Sequence, residues 1–469
     1  MIRRLILGFA LLLFSIPVFP LPPEVRQAIK RANLPESSVS IWAQDVSAKE
    51  PLLSHNAKVA RNPASVMKLV TTYAALDLLG PTFTWKTEVY IRGELEGDAL
   101  NGDLMLKGYG DPKFTLENLW LLLRNLRARG LREIRGDLVL DRSYFSLPSH
   151  VAGDFDGKSS RPYNVGPDAL LLNFQTVELQ FVPDAQKNTV GIIVDPKPVR
   201  LQIVNLLSLD HESCGDWREK LDSNVNDEGG SAIALFRGTY SADCGEKTYR
   251  IAVLNQNEYI LGVFRQLWEE LGGTLLGSAR EAAWSAEWNL IAETGSLTVA
   301  EAVRDINKFS NNVMARQLFL TIGAESFGTN GNQELAREAI TNWLENRNLQ
   351  FPELVVENGS GLSRKERISA AHMGALLLSA WKSAFMPEFI ASLPLAGLDG
   401  TMKKRLNGSE VAGQAHLKTG SLEAVRTIAG YVLDNKGRRI AVVCFVNHAN
   451  SASAKSVEDA LLRWLHNRP

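Results

Sequence analysis

The sequence predicts a mixed α/β protein whose core is built from both ends of the chain and is interrupted by a long β-rich insertion. Three observations lead to this fold class. The chain has 469 residues, which is too long for one compact core at roughly 100–200 residues per domain. Helix and strand patterns occupy both ends. Short strands separated by Gly, Asp and Pro fill the middle, from Trp85 to about Ala292.

The first residues, MIRRLILGFALLLFSIPVFP, have the pattern of a secretory signal peptide. Two arginines precede an apolar run from Leu5 to Phe14, which is shorter than the roughly 20 residues that a membrane-spanning helix needs. We therefore predict export, with residues 1–21 as the signal peptide. Peripheral attachment, or retention of this segment as an anchor, stays open. No Cys directly follows the apolar run, so lipid attachment is not expected.

The first part of the core begins with SVSIWAQD, whose alternation of residue types predicts a strand. A helix is predicted from about Pro63 to Leu79, and the following Gly80 and Pro81 end it. In the insertion, the stretch LENLWLLLRNLRARG predicts a helix and is followed by the strand-like LREIRGDLVLD. This succession of strand, helix and strand predicts a small α/β unit inside the β-rich region.

The second part of the core begins at Thr298, which forms a predicted capping box with Glu301. Two strands, RTIAGYVLD and RRIAVVCFVNH, flank the turn sequence NKG and predict a hairpin. The helical patterns predict further helices at 331–347, 369–383 and 453–467.

Charge and histidine distribution exclude several classes of function. Lys plus Arg total 51 and Asp plus Glu total 52, so there is no electrostatic reason to expect a nucleic-acid partner. The seven His are scattered, and neither H-E-x-x-H nor C-x-x-C occurs. We therefore expect no metal site and no cofactor.

Three cysteines would reach an oxidising compartment on export. Cys214 and Cys244 are each followed by Gly in polar, turn-rich sequence, and a bond between them would close a loop of about thirty residues. We predict this disulfide, with three free thiols as the alternative. Cys444 lies in the apolar run IAVVCFVNH and is predicted to be a buried strand residue.

Three short motifs follow one another along the chain. Ser65-Val-Met-Lys68 is an S-x-x-K sequence, Ser310-Asn-Asn312 is an S-x-N sequence at a predicted helix break, and Lys418-Thr-Gly-Ser follows at the edge of a predicted strand. A second S-x-x-K begins at Ser379, but no such motifs follow it. The ordered series is the signature of penicillin-recognising serine acyltransferases.

The chemistry of acyl transfer explains the first motif. A serine hydroxyl is a weak nucleophile and needs an adjacent base. Positions i and i+3 of a helix share a face, so Lys68 can take the proton of Ser65 once its amine is neutral. Burial and a nearby cation lower a lysine pKa from about 10.4, and Lys418 can supply that cation.

The other motif residues fit substrate binding. Ser310 can pass a proton to a leaving amine, and Asn312 can offer its amide to the substrate backbone. The Lys418 cation and the Thr419 hydroxyl suit a C-terminal carboxylate. Gly420 permits close approach to the strand. The backbone N–H groups of Ser65 and Ser421 are the predicted oxyanion hole.

Beyond these motifs, the chain resembles the low-molecular-mass class C penicillin-binding proteins, the D-alanyl-D-alanine carboxypeptidase/endopeptidases. The resemblance covers nearly all of the chain after the signal peptide. Ser65 and Ser310 lie 245 positions apart, whereas class A β-lactamases and smaller carboxypeptidases have far shorter gaps. Stretches typical of the family are RNPASVMKLVTTYAALDLLG, GYGDP, GDLVLD, DINKFSNNVMARQL, ENGSGLSR, LPLAGLDGTMKKRL and LKTGSL.

The resemblance implies a transpeptidase/β-lactamase-like core with helices around an antiparallel sheet. It implies that this core comprises residues 22–79 and 293–469. A β-rich second domain would comprise 80–97 and 169–292, and a small α/β third domain, 98–168, would be nested in it.

The resemblance also implies roles at the active site. Ser65 would be the acylated nucleophile and Lys68 its base, and the S-x-N and K-T-G residues would complete the site. Arg364 of GSGLSR matches a family arginine near the substrate, with a structural ion pair as the alternative. Asp156 of DFDG matches an acidic residue that receives the free amino end of the peptide side chain, with an exposed loop acid as the alternative. The loop around Asp156 differs from the family in length and wording.

We therefore expect a periplasmic serine peptidase that removes the terminal D-Ala of peptidoglycan stem peptides and also cleaves cross-links, through an acyl-enzyme at Ser65. The expected partners are peptides ending in D-Ala-D-Ala and β-lactam antibiotics, which would bind covalently. The sequence leaves a homodimer open. The alternatives are a β-lactamase, which the long insertion disfavours, a non-catalytic wall-binding protein, which the intact motifs disfavour, and a secreted esterase, which the S-x-x-K chemistry permits.

Overall fold

The chain folds into a core and an insertion, each with its own sheet. The structure, a computed structural model, describes residues 21–228 and 230–468. The α-helices are α1 (Pro23–Arg31), α2 (Lys68–Leu78), α3 (Leu116–Ala128), α4 (Gln256–Glu270), α5 (Val299–Phe309), α6 (Asn312–Phe327), α7 (Gln333–Asn346), α8 (Ala370–Trp381), α9 (Met386–Ser392) and α10 (Lys455–Asn467). The strands are β1 (Val39–Asp45), β2 (Leu53–His55), β3 (Ala60–Arg61), β4 (Thr84–Glu96), β5 (Ala99–Gly108), β6 (Glu133–Ile134), β7 (Leu138–Asp141), β8 (Thr176–Asp184), β9 (Thr189–Asp195), β10 (Leu201–Asp210), β11 (Leu221–Glu228), β12 (Ser231–Ser241), β13 (Lys247–Ala252), β14 (Thr274–Leu275), β15 (Ala279–Glu281), β16 (Asn289–Thr298), β17 (Ile368–Ser369), β18 (Ala415–Leu422), β19 (Val425–Leu433) and β20 (Arg439–Asn447).

The core sheet joins the two ends of the chain. It is antiparallel, in the order β18-β19-β20-β1-β2. The first strand, β1, pairs with the last strand, β20, from Val39 opposite Val446 to Asp45 opposite Ile440. The prediction that both ends of the chain contribute to one core is therefore confirmed.

Helices cover both faces of this sheet. Alternate side chains of a strand point to opposite faces, and β20 shows the pattern. Val443 and Phe445 pack with α2 and α5 to α9, whereas Val442 and Cys444 pack with α1 and α10. These are the helices around an antiparallel sheet that the family resemblance implies.

The insertion contains a seven-stranded sheet. Strands β4 and β5 form an antiparallel hairpin, and β16 pairs with the other edge of β4. Strand β7 runs parallel to β5, with Leu138 opposite Leu104, and α3 lies between them in the chain. The predicted strand, helix and strand unit is therefore confirmed, but it belongs to the same sheet as β4 and β16.

The strand pairings place the domain boundaries differently from the expectation. The expected division between residues 97 and 98 falls in the turn of the β4–β5 hairpin, so 98–168 does not form a sheet of its own. The expected return to the core at 293 falls within β16, which still pairs with β4. We propose instead that the insertion spans 84–298. Its nested unit would be 176–252, which holds two three-stranded sheets, β13-β8-β9 and β10-β12-β11.

The predicted disulfide is present in the nested unit. Cys214 and Cys244 are bonded and lie 30 positions apart in the chain. Cys444 is a buried free thiol on β20, as predicted. A single hydrophobic cluster, which includes Leu106 of the seven-stranded sheet and Phe236 of the nested unit, connects the two parts of the insertion.

Most predicted local elements match the observed ones. The capping box of Thr298 and Glu301 begins α5, and the NKG turn joins β19 to β20. The three predicted C-terminal helices correspond to α7, α8 and α10. The predicted signal peptide lies outside the described residues, apart from its last position. Within 21–228 and 230–468, no helix has the length and apolar character needed to cross a membrane.

Candidate active site

Ser65 lies in a short 3₁₀ turn that leads into α2. The turn spans Ala64–Met67, and α2 begins at Lys68. The sequence predicts a single helix from about Pro63, but Ala64 has a φ of 45° and the first turn is tighter than an α-helix. Side chains at i and i+3 eclipse in a 3₁₀ turn. Lys68 Nζ therefore reaches Ser65 Oγ and donates a hydrogen bond of 3.1 Å to it.

The second motif sits at a helix break, as predicted. Ser310 ends α5 with a φ of 56°, in the left-handed region. Asn311 begins α6 as its N-cap, because its side chain accepts a hydrogen bond from the backbone N–H of Met314. Asn312 Oδ1 accepts a hydrogen bond of 2.6 Å from Lys68 Nζ. The break thus joins the second motif to the first.

The third motif lies on β18, the edge strand of the core sheet. Lys418 is fully buried, and its Nζ donates hydrogen bonds of 2.8 Å to Ser310 Oγ and to the Thr419 carbonyl oxygen. The Thr419 hydroxyl contacts that of Thr401 at 2.9 Å. The structure therefore brings together side chains from three distant stretches of sequence, namely Ser65, Lys68, Ser310, Asn312 and Lys418.

Strand β18 packs directly against the turn that carries Ser65. A Cβ added at Gly420 would lie 2.3 Å from Thr427 Oγ1 and 2.9 Å from both the Pro63 carbonyl oxygen and the Ser65 backbone nitrogen. The Thr427 hydroxyl donates a hydrogen bond of 2.7 Å to the same Pro63 oxygen. Only glycine fits this approach, which agrees with the predicted role of Gly420. Ser421 follows it and is exposed at the rim of the cleft.

Burial dominates the electrostatics of both lysines. It lowers the pKa of Lys68 well below its ordinary value, and the charges of Lys418 and Arg316 lower it further, whereas the charge of Glu366 acts to raise it. Burial also lowers the pKa of Lys418 to about 7. The predicted neutral amine at Lys68 is therefore compatible with the structure near neutral pH. Lys418 is close to half-charged there.

The sequence does not single out three residues that complete the cleft. The Ser360 carbonyl oxygen accepts a third hydrogen bond from Lys68 Nζ. Gly361 has a φ of 82°, and a Cβ there would lie 2.0 Å from the Ala64 carbonyl oxygen. Glu366 is fully buried just beyond them. All three lie in or after the stretch ENGSGLSR, which carries the family resemblance but gives no side-chain signal for a backbone carbonyl or a tight contact.

Arg364 and the Asp156 loop meet at the rim of the cleft. The Arg364 guanidinium lies 5.0 Å from the centre of the Phe155 ring and pairs with Glu423 at 3.1 Å. Both ends of that ion pair are exposed, so the pair contributes little to stability. The structure thus places Arg364 beside the loop that contains Asp156, which the sequence separates by 208 positions.

Asp156 itself is held within its loop. Its carboxylate accepts hydrogen bonds of 2.7 Å from the Tyr163 hydroxyl and from the Asn164 amide. Burial acts to raise the pKa of Asp156, but these hydrogen bonds outweigh it and leave the pKa below its ordinary value. The group is therefore an anion at neutral pH.

Other features lie apart from this cleft. The second S-x-x-K has a packing role, because Ser379 Oγ contacts the Tyr73 hydroxyl at 3.1 Å and Lys382 is exposed. A cavity of about 970 Å³, lined by Arg142, Asp168 and neighbouring residues of the insertion, includes none of the motif residues. In the described part of the chain, no group of three or more His, Cys, Asp and Glu is placed to hold a metal ion.

Comparison with known proteins identifies the family. The model of the D-Ala-D-Ala carboxypeptidase 3 (S13) family matches residues 22–468. The chain belongs to this family. Membership of the S13 family confirms the resemblance drawn from the motifs and the prediction of a serine D-Ala-D-Ala carboxypeptidase.

Similar proteins agree with this S13 assignment over most of their length. The chain is 25% identical to the D-alanyl-D-alanine carboxypeptidase DacB of Haemophilus influenzae over 94% of this chain and 92% of that protein. It is 28% identical to a D-alanyl-D-alanine carboxypeptidase of Actinomadura sp. over 91% and 81% of the two chains. The crystal structure of penicillin binding protein 4 from Haemophilus influenzae superposes with a TM-score of 0.79 at 23% identity, covering 94% of this chain and 99% of the other. The predicted fold class is therefore confirmed.

Proposed function

We propose that this protein is a periplasmic serine peptidase that removes the terminal D-Ala from peptidoglycan stem peptides through an acyl-enzyme at Ser65. We extend the proposal to the cleavage of D-Ala cross-links and to covalent binding of penicillins at the same serine. One observation carries it: in a single cleft, one buried lysine contacts the nucleophile and another contacts a second hydroxyl. Membership of the S13 family supports it.

Acylation begins with proton transfer from Ser65 to Lys68. The Ser65 oxygen attacks the carbonyl carbon of the penultimate D-Ala, and the developing oxyanion accepts hydrogen bonds from the backbone N–H groups of Ser65 and Ser421. The tetrahedral intermediate collapses when the bond to the terminal D-Ala breaks. The proton that Lys68 took from Ser65 passes by way of the Ser310 hydroxyl, which Lys418 contacts, to the leaving nitrogen, so that Lys68 is neutral again when D-Ala departs. Water then gives a proton to Lys68 and attacks the ester, the shortened peptide leaves as its carboxylic acid, and the proton on Lys68 restores the free hydroxyl of Ser65.

The substrate carboxylate strengthens this arrangement. Lys418 and Thr419 would bind the carboxylate of the terminal D-Ala. An anion beside Lys418 raises the pKa of that amine above about 7 and so completes its positive charge. The same charge lowers the pKa of Lys68 and increases the fraction of neutral base. Binding of the correct substrate therefore prepares the base for its task.

The rim supplies the other half of substrate recognition in this proposal. Arg364 and Asp156 carry opposite charges and are joined through Phe155. A stem-peptide side chain that ends in both an amine and a carboxylate would match this pair. The signal peptide predicted at residues 1–21 supports a periplasmic location.

Labelling with a fluorescent penicillin tests the proposal directly. We expect covalent labelling of the wild-type protein and none of Ser65→Ala, because only a serine oxygen can form the ester. Equal labelling of both would reject the assignment. Rapid turnover of the penicillin would instead favour a β-lactamase. Ester hydrolysis without D-Ala release would favour an esterase, and inertness toward all three substrates would favour a non-catalytic protein.

Digestion of purified, cross-linked peptidoglycan fragments separates the two peptidase activities. Mass spectrometry of the products should show loss of terminal D-Ala and conversion of cross-linked dimers to monomers. Dimers that persist after all terminal D-Ala has been released would restrict the function to carboxypeptidase activity.

A further inference from the structure

Glu366 is a fully buried carboxylate behind the cleft. Its Oε1 accepts hydrogen bonds from three consecutive backbone N–H groups, those of Glu357, Asn358 and Gly359, at 3.2, 3.1 and 3.1 Å. Its Oε2 has no hydrogen-bond partner among the described residues. Removing a carboxylate from water costs free energy unless hydrogen bonds or charges compensate for it. We therefore expect a specific role for Glu366 at this position.

The backbone segment that Glu366 holds ends beside Lys68, the general base of the proposed reaction. Next in the chain after Gly359 is Ser360, whose carbonyl oxygen accepts a hydrogen bond from Lys68 Nζ. The Gly359 carbonyl oxygen accepts one of 2.7 Å from the Thr71 hydroxyl, one turn further along α2. Glu366 thus fixes a stretch of backbone that contacts α2 at the lysine itself and just beyond it.

The charge of Glu366 also acts on Lys68. Four other charged groups surround Lys68 and Glu366. They are Lys418 on β18, Arg316 on α6, and the pair of Glu357 and Lys365 on the same loop as Glu366, whose charged atoms lie 2.8 Å apart. The cations at Lys418 and Arg316 lower the pKa of Lys68, whereas Glu366 raises it. Burial raises the pKa of Glu366, against the three backbone hydrogen bonds and the charge of Lys68.

We propose that Glu366 is a positioning residue for the acylation of Ser65. One of its oxygens holds the backbone next to the Ser360 carbonyl, which contacts the Lys68 amine, and the charge of its carboxylate favours the protonated form of that amine. The two effects are separable, because Gln retains the accepting oxygen without the charge, whereas Ala removes both. This inference rests on the proposed acylation of Ser65.

The test is the acylation rate of the full chain by a fluorescent penicillin, measured from about pH 5 to about pH 9. In Glu366→Gln we expect the acid limb to move about one unit toward lower pH, because Lys68 loses a stabilising negative charge. The plateau rate should stay within about threefold of wild type. In Glu366→Ala we expect a plateau at least about tenfold lower, because the Ser360 carbonyl is released.

The matched control is Glu88→Gln in the seven-stranded sheet. Glu88 is also a buried carboxylate with three donors, Lys86, Tyr90 and Tyr109, but it lies on β4, outside the cleft. We expect its variant to have the wild-type pH profile even where its thermal stability falls. A shift in this control equal to that of Glu366→Gln would overturn the inference, since loss of any buried carboxylate would then suffice.

Further outcomes would also overturn it. An acid limb of Glu366→Gln that stays in place or moves to higher pH would contradict the inference. A plateau of Glu366→Ala equal to that of wild type would contradict it as well. Should Glu366→Ala fail to fold, the Gln variant decides alone, because it preserves the three backbone hydrogen bonds. Absence of labelling at Ser65 in wild type would remove the proposed function and this inference together. Normal labelling with an unshifted Gln profile removes the inference only.

Discussion

Gly361 should be among the positions least tolerant of a methyl group in the cleft. In Gly361→Ala the new Cβ would lie 2.0 Å from the Ala64 carbonyl oxygen, 2.3 Å from the Ala64 carbonyl carbon and 2.7 Å from the Ser65 backbone nitrogen. Ordinary van der Waals contact begins at 3.4 Å. All three atoms belong to the backbone that carries the nucleophile, so the turn must move by about 1.4 Å to make room.

The expected magnitudes follow from that displacement. The φ of 82° at Gly361 costs an L-residue about 1–2 kcal/mol, and overpacking costs about 1–3 kcal/mol more. A misplacement of about 1 Å at a reacting group lowers a rate by about 100-fold. We therefore expect Gly361→Ala to lose about 2–5 kcal/mol of stability and about 100-fold in acylation rate.

Gly328→Ala is the matched control for this variant. Gly328 ends α6 with a φ of 63°, and no atom lies within 4 Å of a Cβ added there. It therefore carries the backbone strain without the clash, and we expect a loss of about 1–2 kcal/mol with normal acylation. Thermal unfolding and penicillin labelling give both quantities. A folded Gly361→Ala protein that acylates at the wild-type rate would refute the reasoning.

Three further predictions concern the third motif, the disulfide and the rim. Because the pKa of Lys418 is about 7 and a carboxylate binds the charged form, the KM for D-Ala-D-Ala peptides should rise as the pH increases above about 7; a KM that stays constant to about pH 9 would contradict this. Replacing Cys214 and Cys244 together with Ser should lower the unfolding free energy by about 3–4 kcal/mol, as the chain-entropy model gives for a loop of 30 residues, and leave penicillin labelling intact; an unchanged melting curve would show that the bond adds no stability. Arg364→Ala should lower kcat/KM for stem peptides by about tenfold and leave acylation by simple penicillins unchanged, because only the peptide reaches the rim; equal losses for both would place Arg364 within the reaction itself.

The motif residues of the cleft could be predicted from the sequence because the chemistry restricts their types. A serine nucleophile without a histidine needs a lysine close by, and the order of the three motifs favours Ser65 over Ser379. The capping box at Thr298 and the NKG hairpin could be predicted because their signals are local. Asp156 and Arg364 came only from the resemblance, and their proximity appears first in the structure.

The remainder could not be predicted for physical reasons. Ser360 contributes a backbone carbonyl and Gly361 an absence of side chain, so residue type does not reveal either role. Periodicity reports the local conformation of a strand but not its partner. The pairing of β16 with β4 joins positions that lie about two hundred residues apart, and no local pattern encodes it. For this reason, the domain boundaries expected at 98 and 293 do not coincide with the ends of the paired strands.

The pairing of the first core strand with the last, Val39 opposite Val446, means that the core sheet closes only when nearly the whole chain is available. A nascent chain carries Ser65 from early in its synthesis, but the strand against which that serine is braced is among the final segments to leave the ribosome. The cleft around Ser65 therefore assembles only from a nearly full-length chain. A polypeptide that ends before Lys418 lacks the amine that contacts Ser310 and cannot complete this cleft.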